Sequence, residues 1–412
     1  MSQDRTAKTC LFTPKMPRGA AGARRLPVAI IANRSHRLEA SVALPNSEML
    51  ATRDPVEHRA EPSHADTLKI EARRLAAHCA KYRGADLGRA LIQLLTTTVP
   101  FLALLAGMWA TVDHAYWLTI LLAVPASGLL VRFFIIQHDC GHGSFLPSAR
   151  ANDMLGRTIS LLTMTPYGLW RRVHARHHAT SGNLDRRGYG DIETLTLAEY
   201  RACSPWQRLR YRIYRHPLFL FPIGVPFFFV VLQRTPWGHP LEPKEGWRSV
   251  VGLNIAMIVF YGLLGAAIGF SKLVWIVAPM ILMASALGGW LFFIQHQFED
   301  GHWDASEEWD FQVAAIRGSS YYVLPKPLEW FTGNIGLHHI HHLNSVIPNY
   351  RLHDCLAASP EFQAMNRVTL WESFKCARLA VWDEAQRRLL TFREAHATMA
   401  ADAAGIRASA SG

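Results

Sequence analysis

The sequence predicts an all-α integral membrane protein with four transmembrane helices in two hairpins and a helical cap on the cytosolic side. Three observations carry the prediction. Four apolar runs have the length a bilayer requires, roughly 20 residues; they come in two closely spaced pairs; and basic residues crowd the segments outside the pairs. Composition alone is neutral. Half of the 412 residues are apolar and mean hydropathy is near zero, which suits a large soluble protein or a membrane protein with sizeable polar parts.

The first residues, 1–64, mix Arg, Pro, Ala and Ser around one short apolar patch at 26–32. That patch is too brief for a signal-peptide core, so 1–64 is expected to be a disordered extension, with Met49 as an alternative start. The main domain is expected at 65–396. At 65–82 the spacing of Leu68, Ile70, Leu75 and Ala76 among basic neighbours suits an amphipathic helix lying on a membrane. Spans at about 90–112 and 115–136 form the first hairpin, and spans at about 250–270 and 273–294 the second, joined by Ser271 and Lys272. Between the hairpins, 217–232 is apolar but short, carries Pro222 and Pro226, and is flanked by Arg215 and Arg234. It is expected to lie in the interface; a full crossing would put the polar regions after the two hairpins on opposite sides. Residues 397–412 read as a disordered Ala-rich tail.

Lys69, Arg73, Arg74, Lys81, Arg83 and Arg89 precede the first span, and arginine is dense over 171–215. The hairpin tips hold almost no basic residue, Lys272 being the exception, so the tips are expected to face away from the cytoplasm. The net charge of +11 then needs no nucleic acid, for which no motif is present, and it attracts anionic lipid head groups. Six scattered cysteines with no CxxC pair argue against a disulfide framework or a thiolate metal site.

Three histidine clusters carry the chemistry: His138-Asp139-Cys140-Gly141-His142, His174-Ala175-Arg176-His177-His178 and His338-His339-Ile340-His341-His342. Residues three or four apart share a helix face, so each cluster aims two or three imidazoles at one point. The first begins as the second span ends, and Gln295-His296-Gln297-Phe298-Glu299 begins as the last span ends. Imidazole suits iron, copper, zinc and nickel. Nine candidate ligands (His138, His142, His174, His177, His178, His296, His338, His341, His342) are too many for one ion and suit two. His339 points off its cluster's face, and His302 is an outside candidate.

HDCGHGSF, HARHH, QHQFED and GNIGLHHIHH, with Tyr211-Arg212-Ile213-Tyr214-Arg215 ahead of the interfacial segment, together resemble the membrane fatty-acid desaturase family. The likeness is to its bacterial and plastid-like acyl-lipid branch, which acts at the Δ12 or ω3 region, and it covers about 65–390. The resemblance implies a cytosolic cap holding two ferrous ions in a bacterial inner membrane, an acyl tunnel running into that cap, and dioxygen as co-substrate. Carried over residue by residue, the iron ligands are the nine histidines above. Some relatives complete the set with an asparagine four residues before the ligand corresponding to His296; here Phe292 stands there. Asp139, Asp191, Glu193, Glu299 and Asn334 are candidates to orient the imidazoles by hydrogen bonds.

An unactivated methylene has neither an acidic proton nor a leaving group, so a metal site at an acyl chain calls for oxidative chemistry. The expected reaction removes two neighbouring hydrogens and leaves a cis double bond, with the protein positioning the chain. The sequence shows no HPGG-type haem segment, cysteine set for an iron–sulfur cluster or dinucleotide fingerprint. Electrons are therefore expected from a separate, ferredoxin-like donor, and the arginines of 171–215 serve either to dock an acidic partner or simply as positive-inside charge. The same ligand pattern serves hydroxylases and ketolases acting on acyl chains, alkanes or carotenoids. More remote are a His-lined metal transporter, whose ligands belong near the bilayer midplane, and a zinc membrane hydrolase or receptor, which needs fewer ligands.

Overall fold

The computed structural model describes residues 63–188, 190–235 and 243–410; the expected extension at 1–64, apart from Ser63 and His64, lies outside them. In chain order the main helices are α1 (His64–Cys79), α2 (Leu87–Thr111), α3 (Tyr116–His142), α4 (Ala149–Thr163), α5 (Tyr167–Thr180) and α6 (Pro205–Arg215). Then come α7 (Pro217–Arg234), α8 (Pro243–Ile268), α9 (Phe270–His296), α10 (Phe311–Arg317), α11 (His338–Leu343) and α12 (Phe392–Ala410).

Among the described residues five helices, not four, are long and apolar enough to cross a membrane: α2, α3, α7, α8 and α9. The additional one is the segment expected in the interface. It runs for 18 residues, about 27 Å at the α-helical rise, and a π-helical stretch at Leu220–Gly224, around Pro222, interrupts it.

Local chemistry sets the helix ends. The Asp86 carboxylate accepts from Arg89 N at 3.0 Å at the start of α2. α3 stops one residue past its last histidine at Gly143, whose φ of +70° lets Gly143 N and Ser144 N turn back to the carbonyls of Cys140 and Asp139. The turn of the second hairpin is not Ser271-Lys272 but Gly269, with φ of +94°, a conformation that costs glycine little. Ser271 and Lys272 belong to the first turn of α9, and Lys272 forms an ion pair with Asp113 at the other hairpin tip. Beside it Tyr116 meets Trp275 edge-on, ring centroids 5.5 Å apart.

α3 is the central helix: 61% of its apolar window is buried, against 11% for α8, which leaves α8 facing lipid on most sides. α7 seats on α9 where a Cβ at Gly289 would lie 2.5 Å from Val225 Cγ1, the close approach that small residues give to membrane helices.

Outside this layer α1 buries Ala72, Leu75 and Cys79 against Val313, Ile316 and Leu352. Of the apolar stripe expected against a membrane, Leu68, Leu75 and Ala76 pack into the cap and Ile70 stays exposed. Two small sheets also depart from the all-α expectation: β1 (Leu195–Thr196), β4 (Leu379–Asp383) and β5 (Arg388–Thr391) in the order β1-β4-β5, and β2 (Tyr321–Val323) parallel to β3 (Arg367–Thr369). Strands this short carry too few alternations to register as a period of two. The tail expected from Ala397 instead continues α12 to Ala410. Thr391 and Glu394 cap that helix reciprocally, with Thr391 N donating to the Glu394 carboxylate at 2.8 Å, and its alanines favour helix.

One buried cation ties the layers together. Arg215, 2% exposed, donates to Glu193 O, Thr194 Oγ1, Gln297 Oε1 and Leu379 O at 3.0, 3.1, 2.8 and 2.7 Å. Hydrogen bonds from a charged donor contribute about 1.5–3 kcal/mol each, so Arg215→Met is expected to destabilise the chain by roughly 3 kcal/mol or more. The check is the thermal denaturation midpoint in detergent; an unchanged midpoint would refute this role.

Candidate metal centre

Four helices deliver the histidines. His138 and His142 lie on the last turns of α3, His174, His177 and His178 on α5, His296 is the last residue of α9, and His338, His341 and His342 fill α11. Their ligand atoms form two sets, His138, His142, His174, His178 and His341 in one and His177, His296, His338 and His342 in the other, each with all its atoms within 4.8 Å. The second and third clusters therefore straddle the sets. His174 and His178, four apart, share a face; His177, a helical step of about 100° away from each neighbour in sequence, turns to the second set.

Within each set, Nε2 atoms face one another at short range: His142–His174 3.1 Å, His174–His178 3.1 Å and His178–His341 3.2 Å in the first, His177–His296 3.1 Å and His296–His338 3.0 Å in the second. Donors about 2.1 Å from a shared ion and roughly 90–100° apart stand at such separations. The buried Nδ1 of His338 and His341 and Nε2 of His342 have no hydrogen-bond partner. Burial first, and neighbouring imidazoles second, hold His174, His178, His338, His341 and His342 well below the ordinary histidine pKa, in the neutral form that offers a lone pair to a metal. The residues fit a pair of metal ions. His339 stays out, bonding Phe362 O through Nε2 at 3.1 Å and stacking on Tyr321, and His302 pairs with Asp304.

The rear nitrogens of several rings are anchored. His138 Nδ1 is 3.1 Å from Asp139 Oδ1, His177 Nδ1 bonds Asp191 Oδ1, and His296 Nδ1 donates to Gly318 O at 3.3 Å. Asp139 is itself held, its Oδ2 accepting from Asn349 N at 2.6 Å and Asn349 Nδ2 at 2.8 Å. Asn334 stands one step further back, with Nδ2 donating to Asn349 O at 3.0 Å. Two expected acids do not reach a ring. Glu299 is largely exposed and pairs with Arg388 at 3.3 Å, and Glu193 takes part through its backbone, accepting from Arg215. Burial raises the Glu193 pKa. Phe292 packs its ring beside His177 and His296.

A cavity of about 460 Å³ opens beside the rings, with His138, His174, His177 and His338 in its wall. Along α9 it reaches from Gln295 back to Ile281, about 21 Å of helix.

The family model described as "Fatty acid desaturase" matches residues 114–374. The "Fatty acid desaturase" of Bacillus subtilis (strain 168) is 37% identical over 327 residues, 79% of this chain and 92% of that one. The chain belongs to the fatty acid desaturase family. More distant members are an "sn-1 oleoyl-lipid 12-desaturase" from Anabaena variabilis, 25% identical over 60% of this chain and 70% of that one, and an "sn-1 acyl-lipid omega-3 desaturase (ferredoxin)" from Synechocystis sp., 26% identical over 66% and 77%. The protein is thus a desaturase, a membrane enzyme that introduces a double bond into a fatty acyl chain, and the transporter and zinc-hydrolase alternatives fall away.

Spacing along the sequence missed two residues of the desaturase site. Asn349 opens a short 3-10 helix seven residues past His342, outside the helical spacing of that cluster, and Trp170 stacks on His174 with centroids 4.7 Å apart and planes at 13°. Trp170 had a signal, since it sits one helical turn before His174. Supporting groups of this kind typically change metal affinity by about 10–100-fold. Asp139→Ala is expected to weaken metal binding in that range and Glu299→Gln to leave it unchanged, measured by competition with a chelator of known affinity.

Proposed function

We propose that this desaturase holds two iron ions, one in each histidine set, and uses dioxygen to desaturate a lipid-linked acyl chain, leaving a cis double bond. The observation that carries the reading is the meeting of the two imidazole sets with the long apolar cavity, which presents a methylene chain to the ligands. Iron, when bound, supplies the oxidising power towards an unactivated C–H bond that side chains lack. His138, His142, His174, His178 and His341 are the ligands of one ion, and His177, His296, His338 and His342 those of the other. Asp139, Asp191 and the Gly318 carbonyl fix ring orientation. The cavity wall holds the chain straight past the centre and keeps water from it.

In this reading residues 65–396 form the catalytic domain, four helices cross a bacterial inner membrane, and α7 enters and leaves on one face. Two features support that arrangement. α3 and α9 both end at the metal centre and their hairpin tips meet through Asp113 and Lys272, so α8 starts on the metal side, as does the path leaving α3. A single full crossing by α7 would break that match. The cytoplasm is the metal side, which the basic residues around α1 and α5 support; the exception at the tips, Lys272, is neutralised by Asp113.

The donor in this reading is a separate ferredoxin-like protein, the donor named for the omega-3 desaturases of Synechocystis and Nostoc. Its docking surface draws on fewer arginines than the sequence offers. Arg187 forks onto Glu199 at 2.6 and 3.0 Å, Arg171 pairs with Asp153, and Arg215 is buried.

The test is the fatty-acid profile of an aerated host expressing the chain. A new unsaturated species is expected, absent without oxygen and absent with His338→Ala plus His341→Ala; a hydroxylated product instead would refute desaturation. Gly288 lines the cavity, and a Cβ there would meet nothing within 4 Å. Gly288→Phe is therefore expected to fold and bind iron normally, yet to lower activity on long chains at least tenfold, equivalent to about 1.4 kcal/mol.

A further inference from the structure

α6 has two faces, and the metal centre uses only the inner one. Inward it buries Tyr211 and Arg215: Arg215 bonds the residue just past His296, Tyr211 Oη donates to Ala380 O at 2.5 Å, and Tyr214 lines the cavity. Outward it leaves Trp206, Leu209 and Ile213 exposed, Trp206 by 65%. At about 100° of turn per residue these three share one narrow stripe, with Arg210 on one flank and Arg212 on the other. Both flanking arginines are exposed, whereas Arg208 turns inward and donates to the carbonyls of Tyr200 and Arg201 at 3.1 and 2.6 Å.

Two observations say what covers this stripe. α6 passes through His216 straight into the apolar helix α7, whose first turn exposes Leu218, so the stripe runs on into the membrane layer. Near that entry the short helix Leu370–Cys376 exposes Trp371, by 78%, and Phe374. Phe374 packs on Trp290 of α9, ring centroids 5.2 Å apart, and Trp290 on Phe221 of α7 at 4.8 Å. Trp290 lies six residues before His296, about 9 Å nearer the hairpin tips, so cap aromatics reach the level of the apolar layer. Tryptophan and aliphatic side chains flanked by arginine fit the boundary between acyl chains and head groups, where arginine extends to the phosphates. An acidic donor protein would match the charges but not an apolar stripe that continues onto a membrane helix. We propose that α6 is an interfacial anchor, seated with the Leu370–Cys376 helix in the head-group boundary of an anionic lipid surface, with Arg210 and Arg212 on lipid phosphates, and that this seating holds Tyr214 and Arg215 in place. Turnover is then coupled to the charge of the lipid surface, a consequence that rests on the desaturase reading above; the seating itself does not.

The test uses iron-loaded full chain in nanodiscs of diphytanoyl phosphatidylcholine, alone or mixed with diphytanoyl phosphatidylglycerol. Each disc carries the same trace of radiolabelled stearoyl and oleoyl phosphatidylcholine. In chain labelled with fluorotryptophan, the resonance of Trp206 is the one that Trp206→Leu lacks. It is expected to broaden with doxyl-labelled lipid and not with a water-soluble gadolinium chelate. Turnover is expected to be faster in the anionic discs, and Arg210→Gln plus Arg212→Gln should remove that gain, up to about fivefold for each charge, with iron content and the KM for reduced ferredoxin unchanged. The proposal is overturned if the chelate alone broadens the Trp206 signal, or if the double variant keeps the full gain from phosphatidylglycerol. It is equally overturned if that variant raises the KM for ferredoxin and leaves the lipid dependence intact, which would make α6 a donor dock. A lipid-broadened Trp206 signal in a chain that forms no double bond in any disc would sink the desaturase reading and leave the anchor standing.

Discussion

Nine imidazoles must meet at one place, and most of the structure follows from that. Each ring is desolvated, and their nitrogens crowd one another at 3.0–3.2 Å, a packing that is unfavourable without a cation to share. The fold meets the demand by bringing together the ends of two long helices, α3 and α9, one surface helix, α5, and the short helix α11. The cap exists to hold the last two in register with the first two. Arg215 shows how tightly: a single guanidinium bonds the β4 strand, the residue just past His296 and the segment leading to β1.

The long-wavelength features of this architecture were legible in the sequence because they rest on short-range rules. Apolar run length marked the four longest apolar helices within a few residues, and i, i+3, i+4 spacing marked all nine rings that converge. The division of the rings between two sets was not legible. It depends on how α5 and α11 are rotated against α3 and α9, which only tertiary packing fixes. Asn349 was invisible for a related reason, since a residue at the start of a single 3-10 turn that holds Asp139 through its backbone N–H and its amide leaves no periodic trace. The small sheets escaped because each strand is two to five residues long. Glu193 and Glu299 looked equivalent to Asp191 on paper; whether a carboxylate reaches a ring is decided by backbone direction beyond a helix end.

α7 carries the ambiguity between a span and an interfacial segment in its own sequence. Pro222 and Pro226 interrupt it, yet at 18 residues it is still long and apolar enough to cross, though shorter than the 23–27 residues of the other four. Its contacts explain the combination. One side packs on α9 at Gly289, the other lines the cavity with Val225, Phe228 and Phe229, so it serves as the wall of a binding site as much as a membrane element. Such a wall must be apolar whichever way it lies, and apolarity alone cannot report its path.

α3 and α9 are each 27 residues long, each starts beside the junction of the hairpin tips, and each ends on a ligand, His142 or His296. They act as the two legs of a caliper, joined at Asp113 and Lys272, whose points must close on the same histidine centre. At 1.5 Å of rise and about 100° of turn per residue, adding or removing one residue in either leg would lift its ligand and swing it away from the centre. Evolution of helix length in this bundle is therefore coupled: a thinner or thicker membrane can be matched only by changing both legs together, by whole turns.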